Sequence, residues 1–180
     1  MVAKRETPPL SVDVSELLRA PGSSMRVRST SRSEGLGVAL ARVEEGSEVA
    51  VDLELEALVD GIHVTGELTG SVAARCARCL TDITLPLRAQ VGEVATYPGR
   101  ERDDAYPIVD EQLDVDQIVR DVVVGDLPFS PLCRPDCAGL CLRCGADRNE
   151  VDCGHDAAPV DIRWGPLASL KDRLERDTEG

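Results

Sequence analysis

The spacing of its seven cysteines constrains this chain more than any other feature of the sequence. Five lie between positions 133 and 153, and the other two form Cys76-Ala-Arg-Cys79 far upstream. In a C-x-x-C sequence the backbone folds into a tight turn that directs two thiolates at one metal ion, about 2.3 Å away for zinc. The pattern predicts two such turns, which we call the first knuckle (residues 76–80) and the second knuckle (residues 141–145).

The number of candidate ligands matches two tetrahedral sites. Seven cysteines and one downstream histidine give eight side chains, and a structural zinc ion takes four. We assign them to a first site of Cys76, Cys79, Cys133 and Cys137, and to a second site of Cys141, Cys144, Cys153 and His155. The alternative is a single zinc ion held by four of the six downstream candidates, with Cys76 and Cys79 as reduced structural thiols. The sequence therefore predicts one or two structural Zn²⁺ ions.

Disulfide and redox interpretations of the cysteines are less favourable. Disulfides suit secreted chains, but the amino-terminal residues contain no apolar signal core, and seven is an odd number. A redox-active C-x-x-C usually opens a helix, whose dipole lowers the thiol pKa. The flanks of the first knuckle, residues 71–75 and 80–85, instead have the pattern of extended chain. Metal binding is the interpretation that we prefer.

Composition and charge restrict the class of protein further. Only 2% of the residues are aromatic, which argues against a surface that stacks the bases of single-stranded nucleic acid. The formal net charge of −13 disfavours a general binder of phosphate backbones. No apolar run approaches the roughly 20 residues of a membrane span. We therefore expect a soluble, cytoplasmic protein with reduced cysteines.

A local basic surface is still compatible with this charge. Five arginines lie within or beside the cysteine clusters, where their guanidinium groups either meet phosphate or simply balance the charge of the thiolates. They are Arg75, Arg78, Arg134, Arg143 and Arg148. We treat these arginines as candidate residues for binding the phosphate groups of a partner.

Alternating apolar and polar residues dominate the first half of the chain. This period of two runs through residues 49–58, 63–72 and 83–91, with a hairpin break at Asp60-Gly61 and an edge or a bulge at Pro86. Tyr106-Pro107 is interpreted as loop, and a helical stripe follows from Asp114 to about Val124. The pattern predicts an α+β fold: a curled, barrel-like antiparallel sheet with one or two packing helices. The first knuckle would lie at a hairpin tip.

Three segments follow from this pattern within a single compact domain. Residues 1–126 form the sheet body with the first knuckle and the acidic helix, and residues 127–160 form the zinc-binding segment. Residues 161–180 form a carboxyl-terminal helix and tail, because Leu167, Leu170 and Leu174 share one helical face after Pro166.

The order of these motifs resembles the bacterial YceD family, the large ribosomal RNA subunit accumulation proteins. The matching sequences are Cys76-Ala-Arg-Cys79-Leu80, Leu127-Pro-Phe-Ser-Pro-Leu-Cys133, Asp136-Cys-Ala-Gly-Leu-Cys-Leu-Arg-Cys-Gly145 and Asp161-Ile-Arg-Trp-Gly-Pro-Leu-Ala-Ser-Leu170. The combination is specific, whereas C-x-x-C alone is not. Arg148 departs from the family, in which leucine is commoner at this position, and neither zinc site follows from membership alone.

The resemblance implies a factor for accumulation or maturation of large-subunit rRNA, with no known enzymatic activity. Its partners would be the rRNA precursor or ribosomal proteins, rather than a membrane or a small-molecule substrate. Two other hypotheses are a zinc-dependent hydrolase or nuclease, which needs an open coordination position and a general base, and a thiol-redox or metal-storage protein. The preferred hypothesis is a non-catalytic assembly factor with zinc as a structural element.

Overall fold

The structure is a computed structural model, and it describes residues 10–97, 99 and 105–155. Contacts within the chain group it into two units, Met1–Pro135 and Asp136–Gly180. The predicted division into three segments within a single domain stays a prediction, and the predicted helix and tail at 161–180 lie outside the described residues. In the described part of the chain, no helix combines the length and the apolar character needed to cross a membrane.

The first unit is built mostly of strands. The strands are β1 (Ser11–Asp13), β2 (Ser24–Arg32), β3 (Leu36–Gly37), β4 (Ala41–Val43), β5 (Glu48–Ala57), β6 (Gly61–Arg75), β7 (Asp82–Thr96), β8 (Tyr106–Val109) and β9 (Gln112–Asp114). The two helices are α1 (Ser15–Arg19) and α2 (Val115–Asp126). Strands β5, β6 and β7 and helix α2 agree with the pattern in the sequence.

The centre of the unit is the long hairpin of β6 and β7. These strands pair along their full lengths, from Gly61↔Thr96 to Arg75↔Asp82. On its other edge β6 pairs with β5 and, near its end, with β4. The alternating side chains of β5 and β6 bury one apolar face, which includes Leu53, Leu55, Ile62, Val64 and Leu68. Burial of this face supplies the main stabilisation of the sheet.

Gly66 allows β6 to approach β5 unusually closely. Its φ is 147°, and it pairs with Leu53 across the two strands. A Cβ atom added at this position would collide with the backbone carbonyl oxygen of Asp52 and would lie 2.9 Å from Cα of Leu53. Glycine is therefore the residue that both this conformation and this contact require.

The sheet is mixed, which corrects the prediction of an all-antiparallel sheet. β8 pairs in parallel with the end of β7, through Ala95↔Tyr106 and Thr96↔Pro107, and the order continues to β9 and β1. Tyr106 and Pro107, which the sequence assigned to a loop, begin this strand. From Asp82 to Val94, β7 has no second strand partner among the described residues, so Pro86 lies at an edge as predicted.

Helix α2 packs against β7, β3 and β1 of this curled sheet, a half-barrel. Asp114 caps it by accepting a hydrogen bond from the backbone N–H of Gln117, and its apolar stripe, including Ile118 and Val123, is buried. The carboxylate of Asp116 accepts hydrogen bonds from the backbone N–H of Leu10 (2.7 Å) and from the Ser31 hydroxyl (2.8 Å). Part of the acidic segment is thus structural.

Candidate metal centres

The first knuckle is formed by the turn that joins β6 to β7. The backbone N–H of Cys76 donates to the carbonyl of Thr81, and that of Leu80 donates to the carbonyl of Cys76, both at 2.9 Å. These bonds hold Leu80 at a φ of 62°, which a side chain other than glycine seldom adopts. The predicted position of this knuckle at a hairpin tip is confirmed.

A distant segment brings a third cysteine to this turn. The N–H of Ala77 donates to the carbonyl of Pro131 (2.8 Å), which places residues 131–133 beside the knuckle. Sγ of Cys133 then lies 3.7 Å from Sγ of Cys79. The sulfurs of Cys76, Cys79 and Cys133 all lie within 4.8 Å of one another. This spacing suits thiolates that share one tetrahedral ion.

The environment of Cys76 favours the thiolate. A hydrogen bond from the backbone N–H of Cys79 has the largest effect and lowers the pKa of Cys76 to about 6, with further help from the backbone N–H of Cys133. Because a metal binds the thiolate, a lowered pKa reduces the cost of deprotonation at neutral pH. Cys76 is fully buried, as a ligand of a structural ion should be.

The second knuckle lies within the second unit and has the same hydrogen-bonding scheme. The N–H of Gly145 donates to the carbonyl of Cys141, and the N–H of Cys141 donates to the carbonyl of Ala146, both at 2.8 Å. Gly145 has a φ of 75°, so its backbone is in the left-handed conformation. Leu80 adopts this conformation at the equivalent position of the first knuckle. Hydrogen bonds from the backbone N–H groups of Cys144 and Arg143 lower the pKa of Cys141 to about 6.

Four ligand atoms converge at this second knuckle. Sγ of Cys141 lies 3.7 Å from Nδ1 of His155, and the ligand atoms of Cys141, Cys144, Cys153 and His155 all lie within 4.8 Å of one another. Three sulfurs and one imidazole nitrogen in this arrangement form a donor set that fits tetrahedral zinc. When bound, such an ion would cross-link the loop through these four side chains.

Each unit thus brings together candidate ligands of its own. They are Cys76, Cys79 and Cys133 in the first unit, and Cys141, Cys144, Cys153 and His155 in the second. The assignment of Cys137 as the fourth ligand of the first site stays a prediction, and the interpretation of Cys76 and Cys79 as thiols outside any cluster is not favoured. Cys137 follows Cys133 by four positions and is the first cysteine of the second unit.

Asn149 supports Cys137 within the second unit, and no local pattern in the sequence marks it as a functional residue. Its Nδ2 donates to Sγ of Cys137 (3.4 Å), and its Oδ1 accepts from the backbone N–H of Ala138 (2.8 Å). Asp147 fixes the amide in turn, because its Oδ1 accepts from both the N–H and Nδ2 of Asn149. An N–H donated to a thiolate stabilises its charge and orients it for metal binding.

We expect Asn149→Ala to weaken metal binding at the site that includes Cys137. Loss of a supporting hydrogen bond of this kind typically lowers metal affinity about 10- to 100-fold. Competition with a chromophoric chelator measures the change. Glu150→Ala is the matched control, since Glu150 is the exposed neighbour of Asn149 and does not belong to either candidate ligand set. Equal affinities for both variants would show that Asn149 has no such role.

The five candidate arginines are all exposed. Arg75 pairs with Asp82 at 3.1 Å, and Nη1 of Arg78 donates to the carbonyl of Pro135 at 3.5 Å. In the first unit, Arg75, Arg78 and Arg134 thus lie at or next to the first knuckle. In the second unit, Arg143 lies within the second knuckle and Arg148 lies three positions after it.

Comparison with known proteins supports the resemblance found in the sequence. The family model described as "Large ribosomal RNA subunit accumulation protein YceD" matches residues 64–171. An uncharacterized protein of Mycobacterium tuberculosis is 34% identical over 169 residues, which cover 90% of this chain and 81% of the relative. An uncharacterized protein of Mycobacterium leprae is 31% identical over 169 residues, with 90% and 77% covered.

A plant relative carries a functional name. The chloroplastic YCED homolog 1 of Arabidopsis thaliana, a "Large ribosomal RNA subunit accumulation protein", is 28% identical over 71 residues, which are 39% of this chain and 22% of the relative. No solved structure matches the chain. The family model covers more than half of the sequence, and its match contains both cysteine clusters. This chain therefore belongs to the YceD family of large ribosomal RNA subunit accumulation proteins.

Proposed function

We propose that this protein is a non-catalytic factor in assembly of the large ribosomal subunit, acting in the cytoplasm on rRNA or on ribosomal proteins. The observation that carries the proposal is the family match over residues 64–171, since this range contains all eight candidate ligands and all five candidate arginines. The part of the chain that defines the family is thus the part that holds the proposed site.

In this proposal the zinc ions have a structural role and take no part in a chemical reaction. Each candidate group offers four side-chain ligands, which fill a tetrahedral ion and leave no position for water or substrate. A hydrolase or nuclease needs an open position and a neighbouring general base. Filled coordination therefore favours a structural role, in which the two knuckles hold their arginines in fixed positions.

The arginines supply the proposed contact with the partner. A guanidinium group binds phosphate in a bidentate manner and remains charged at physiological pH, which suits an rRNA backbone. The net charge of −13 over the whole chain opposes association with RNA elsewhere on the surface. Contact would therefore be confined to the surfaces next to the two knuckles.

Depletion of the protein in its native host tests this function. We expect the ratio of large-subunit to small-subunit rRNA to fall, and incomplete large-subunit particles to appear in a sucrose gradient. Re-expression of the wild-type chain should restore both readouts. An unchanged rRNA ratio and gradient after full depletion would contradict the proposal.

Two double variants test whether the rRNA ratio depends on the arginines of the first knuckle or only on the number of exposed arginines. Arg78→Ala with Arg134→Ala removes two candidate contacts beside the first knuckle, and it should fail to restore the rRNA ratio. Arg26→Ala with Arg28→Ala removes two exposed arginines that pair with Asp52 on the sheet, and it should restore the ratio. Equal rescue by both double variants would rule out the first-knuckle arginines as the contact.

A further inference from the structure

Strand β7 has an open edge that no step of the proposed function uses. Its register with β6 is regular along the whole hairpin, and β8 joins the other edge of β7 only at Ala95 and Thr96. Between Asp82 and Val94 that edge has no strand partner among the residues that the structure describes. A row of unpaired backbone N–H and C=O groups is a template on which another extended segment can pair.

Hydrogen bonds at both ends of the hairpin show which residues face this edge. The N–H of Cys76 donates to the carbonyl of Thr81, so these opposed residues form a hydrogen-bonded pair. At the other end the carbonyl of Gly61 accepts from Leu58, so Gly61 faces β5 and not β7. Such pairs alternate along antiparallel strands, and the even-numbered residues of β7 therefore direct their backbone groups to the open edge. Pro86 is one of them, which suits a residue without an N–H.

A groove of about 320 Å³ lies between this edge and helix α2. Gln90 and Glu93 of β7 line one side of it, and Asp121, Val122 and Asp126 of α2 line the other. Because both an even-numbered and an odd-numbered residue of β7 line the groove, it follows the edge of the strand and not a single face of the sheet. A segment added to β7 would therefore lie in this groove.

The groove is acidic. Its charged lining residues are Glu93, Asp121 and Asp126, and no arginine or lysine lines it in the described part of the chain. Arg88 is the only cation of β7, so these four side chains together carry a net charge of −2. Burial, followed by the charges of Asp121 and Glu93, raises the pKa of Tyr106 to about 12. The negative potential thus already acts on a neighbouring group.

Asp126 has a position that is unfavourable for its own helix. It is the last residue of α2, and the last turn of that helix contains no basic residue. A carboxylate at a helix carboxyl terminus opposes the helix dipole. Neither Asp126 nor Glu93 forms a salt bridge with any other described residue. A carboxylate that destabilises its helix and has no cation within this structure is well placed to meet one from another molecule.

We propose that the open edge of β7 binds an extended, lysine- or arginine-rich segment of a ribosomal protein as an added strand. The backbone groups of Arg88, Gln90 and Gly92 would pair with it, and its basic side chains would reach Glu93 and Asp126. The same carboxylates oppose an RNA backbone, and they oppose a second copy of this chain, whose edge is equally acidic. This inference rests on the proposed function, and it assigns this surface to a protein partner.

Anisotropy of a fluorescein-labelled peptide of alternating lysine and valine, at low salt, tests the backbone pairing. We expect Gln90→Pro to weaken binding at least about 5-fold, because it removes an N–H that faces the edge and places a ring there. Gln90→Ala is the matched control. It keeps the N–H and removes only an exposed side chain, so it should bind as tightly as the wild-type protein.

A second pair of variants tests the charge of the groove. Glu93→Gln with Asp126→Asn should weaken binding of the same peptide about 5-fold, because two ion pairs are lost. Glu54→Gln with Glu56→Gln removes the same charge from exposed positions of β5 and should bind nearly as tightly as the wild-type protein. The midpoint of urea unfolding should not fall in either double variant, and removal of the unfavourable carboxylate at the end of α2 should raise it if anything.

Hydrogen exchange identifies the occupant of the edge. The amides of Gln90 and Gly92 should exchange rapidly in the free protein and become protected when the peptide binds. Protection in the free protein would show that the chain itself or a second copy already covers the edge, and it would overturn the proposal. So would equal peptide binding by Gln90→Pro and Gln90→Ala, or binding of an oligoadenylate that only Gln90→Pro loses, which would indicate RNA.

The inference and the proposed function fail in different experiments. If the wild-type protein does not bind the peptide while depletion lowers the rRNA ratio, the assignment of the β7 edge is rejected and the proposed function stands. If depletion itself has no effect, the proposed function fails, and the assignment of this edge to a ribosomal protein fails with it.

Discussion

Replacing Cys144 by serine should remove one of two zinc ions and leave the other in place. The purified wild-type protein should contain about two zinc ions per chain, and Cys144→Ser about one, because a tetrahedral site rarely survives the loss of a thiolate. Cys79→Ser should also contain about one, since its sulfur belongs to the other cluster. Elemental analysis after gel filtration gives these numbers, and two independent losses establish the division into two sites of four ligands.

The structural effect of Cys144→Ser should be concentrated in the second unit. Its described residues, 136–155, contain no helix and no strand beyond the isolated bridge Leu140↔Asp147. Little apolar burial is available to hold this segment without metal, so its amides should lose protection from hydrogen exchange. Amides of β6 and β7 should remain protected.

Leu142→Ser is the control for this variant. Like Cys144→Ser, it introduces serine into the second knuckle. The side chain that it replaces is 86% exposed and lies outside the ligand set. It should retain both ions. A wild-type protein without metal, or a Cys144→Ser variant that keeps its full zinc content, would contradict the metal assignment.

Substituting Gly66 by alanine should destabilise the first unit by at least about 3 kcal/mol, the range of the largest effects of single substitutions. Two costs add at this position. The φ of 147° is unfavourable for any side chain, and the new Cβ would meet the Asp52 carbonyl and Cα of Leu53 on β5. Relief of the collision requires β5 to move away from β6, which would open the apolar face that the two strands bury. Equilibrium unfolding in urea, with zinc present throughout, measures the change.

Gly92→Ala separates this effect from a general cost of side chains in the hairpin. Gly92 lies on β7 opposite Thr65, one position from Gly66 in the same register, and a Cβ added there meets no atom within 4 Å. Its free energy of unfolding should change by less than about 1 kcal/mol. If both variants were equally stable, the close approach of β5 and β6 would not be a constraint on the fold.

Local patterns in the sequence predicted much of the structure correctly. The period of two in residues 49–91 gave β5, β6 and β7, and the Asp60-Gly61 signal gave the hairpin between the first two of these strands. The convergence of Cys141, Cys144, Cys153 and His155 agrees with their short spacing in the sequence, while the division of eight ligands between two zinc ions stays a prediction. Periodicity, turn residues and ligand spacing can all be recognised within a short stretch of sequence. They can therefore be interpreted without the three-dimensional fold.

The features that were missed depend on distant contacts. The parallel pairing of β8 with β7 arises across residues 97–105, and Tyr106-Pro107 has the local pattern of a loop because proline and polar neighbours favour turns. Asn149 has the pattern of an ordinary turn residue beside Asp147, and its second role became visible only through the distance from Nδ2 to the Cys137 sulfur. Neither contact has a signature within a short window of sequence.

The pairing of β1 with β9 affects how the protein can fold during translation. Ser11 lies opposite Asp114, and the N–H of Leu10 donates to Asp116, so the first strand is completed by residues made more than 100 positions later. While the polypeptide leaves the exit tunnel, the β5–β6–β7 core can form, but β1 has no partner until β9 and the start of α2 have emerged. The amino-terminal segment should therefore be among the last parts of the nascent chain to become ordered, and it would be open to chaperones until then.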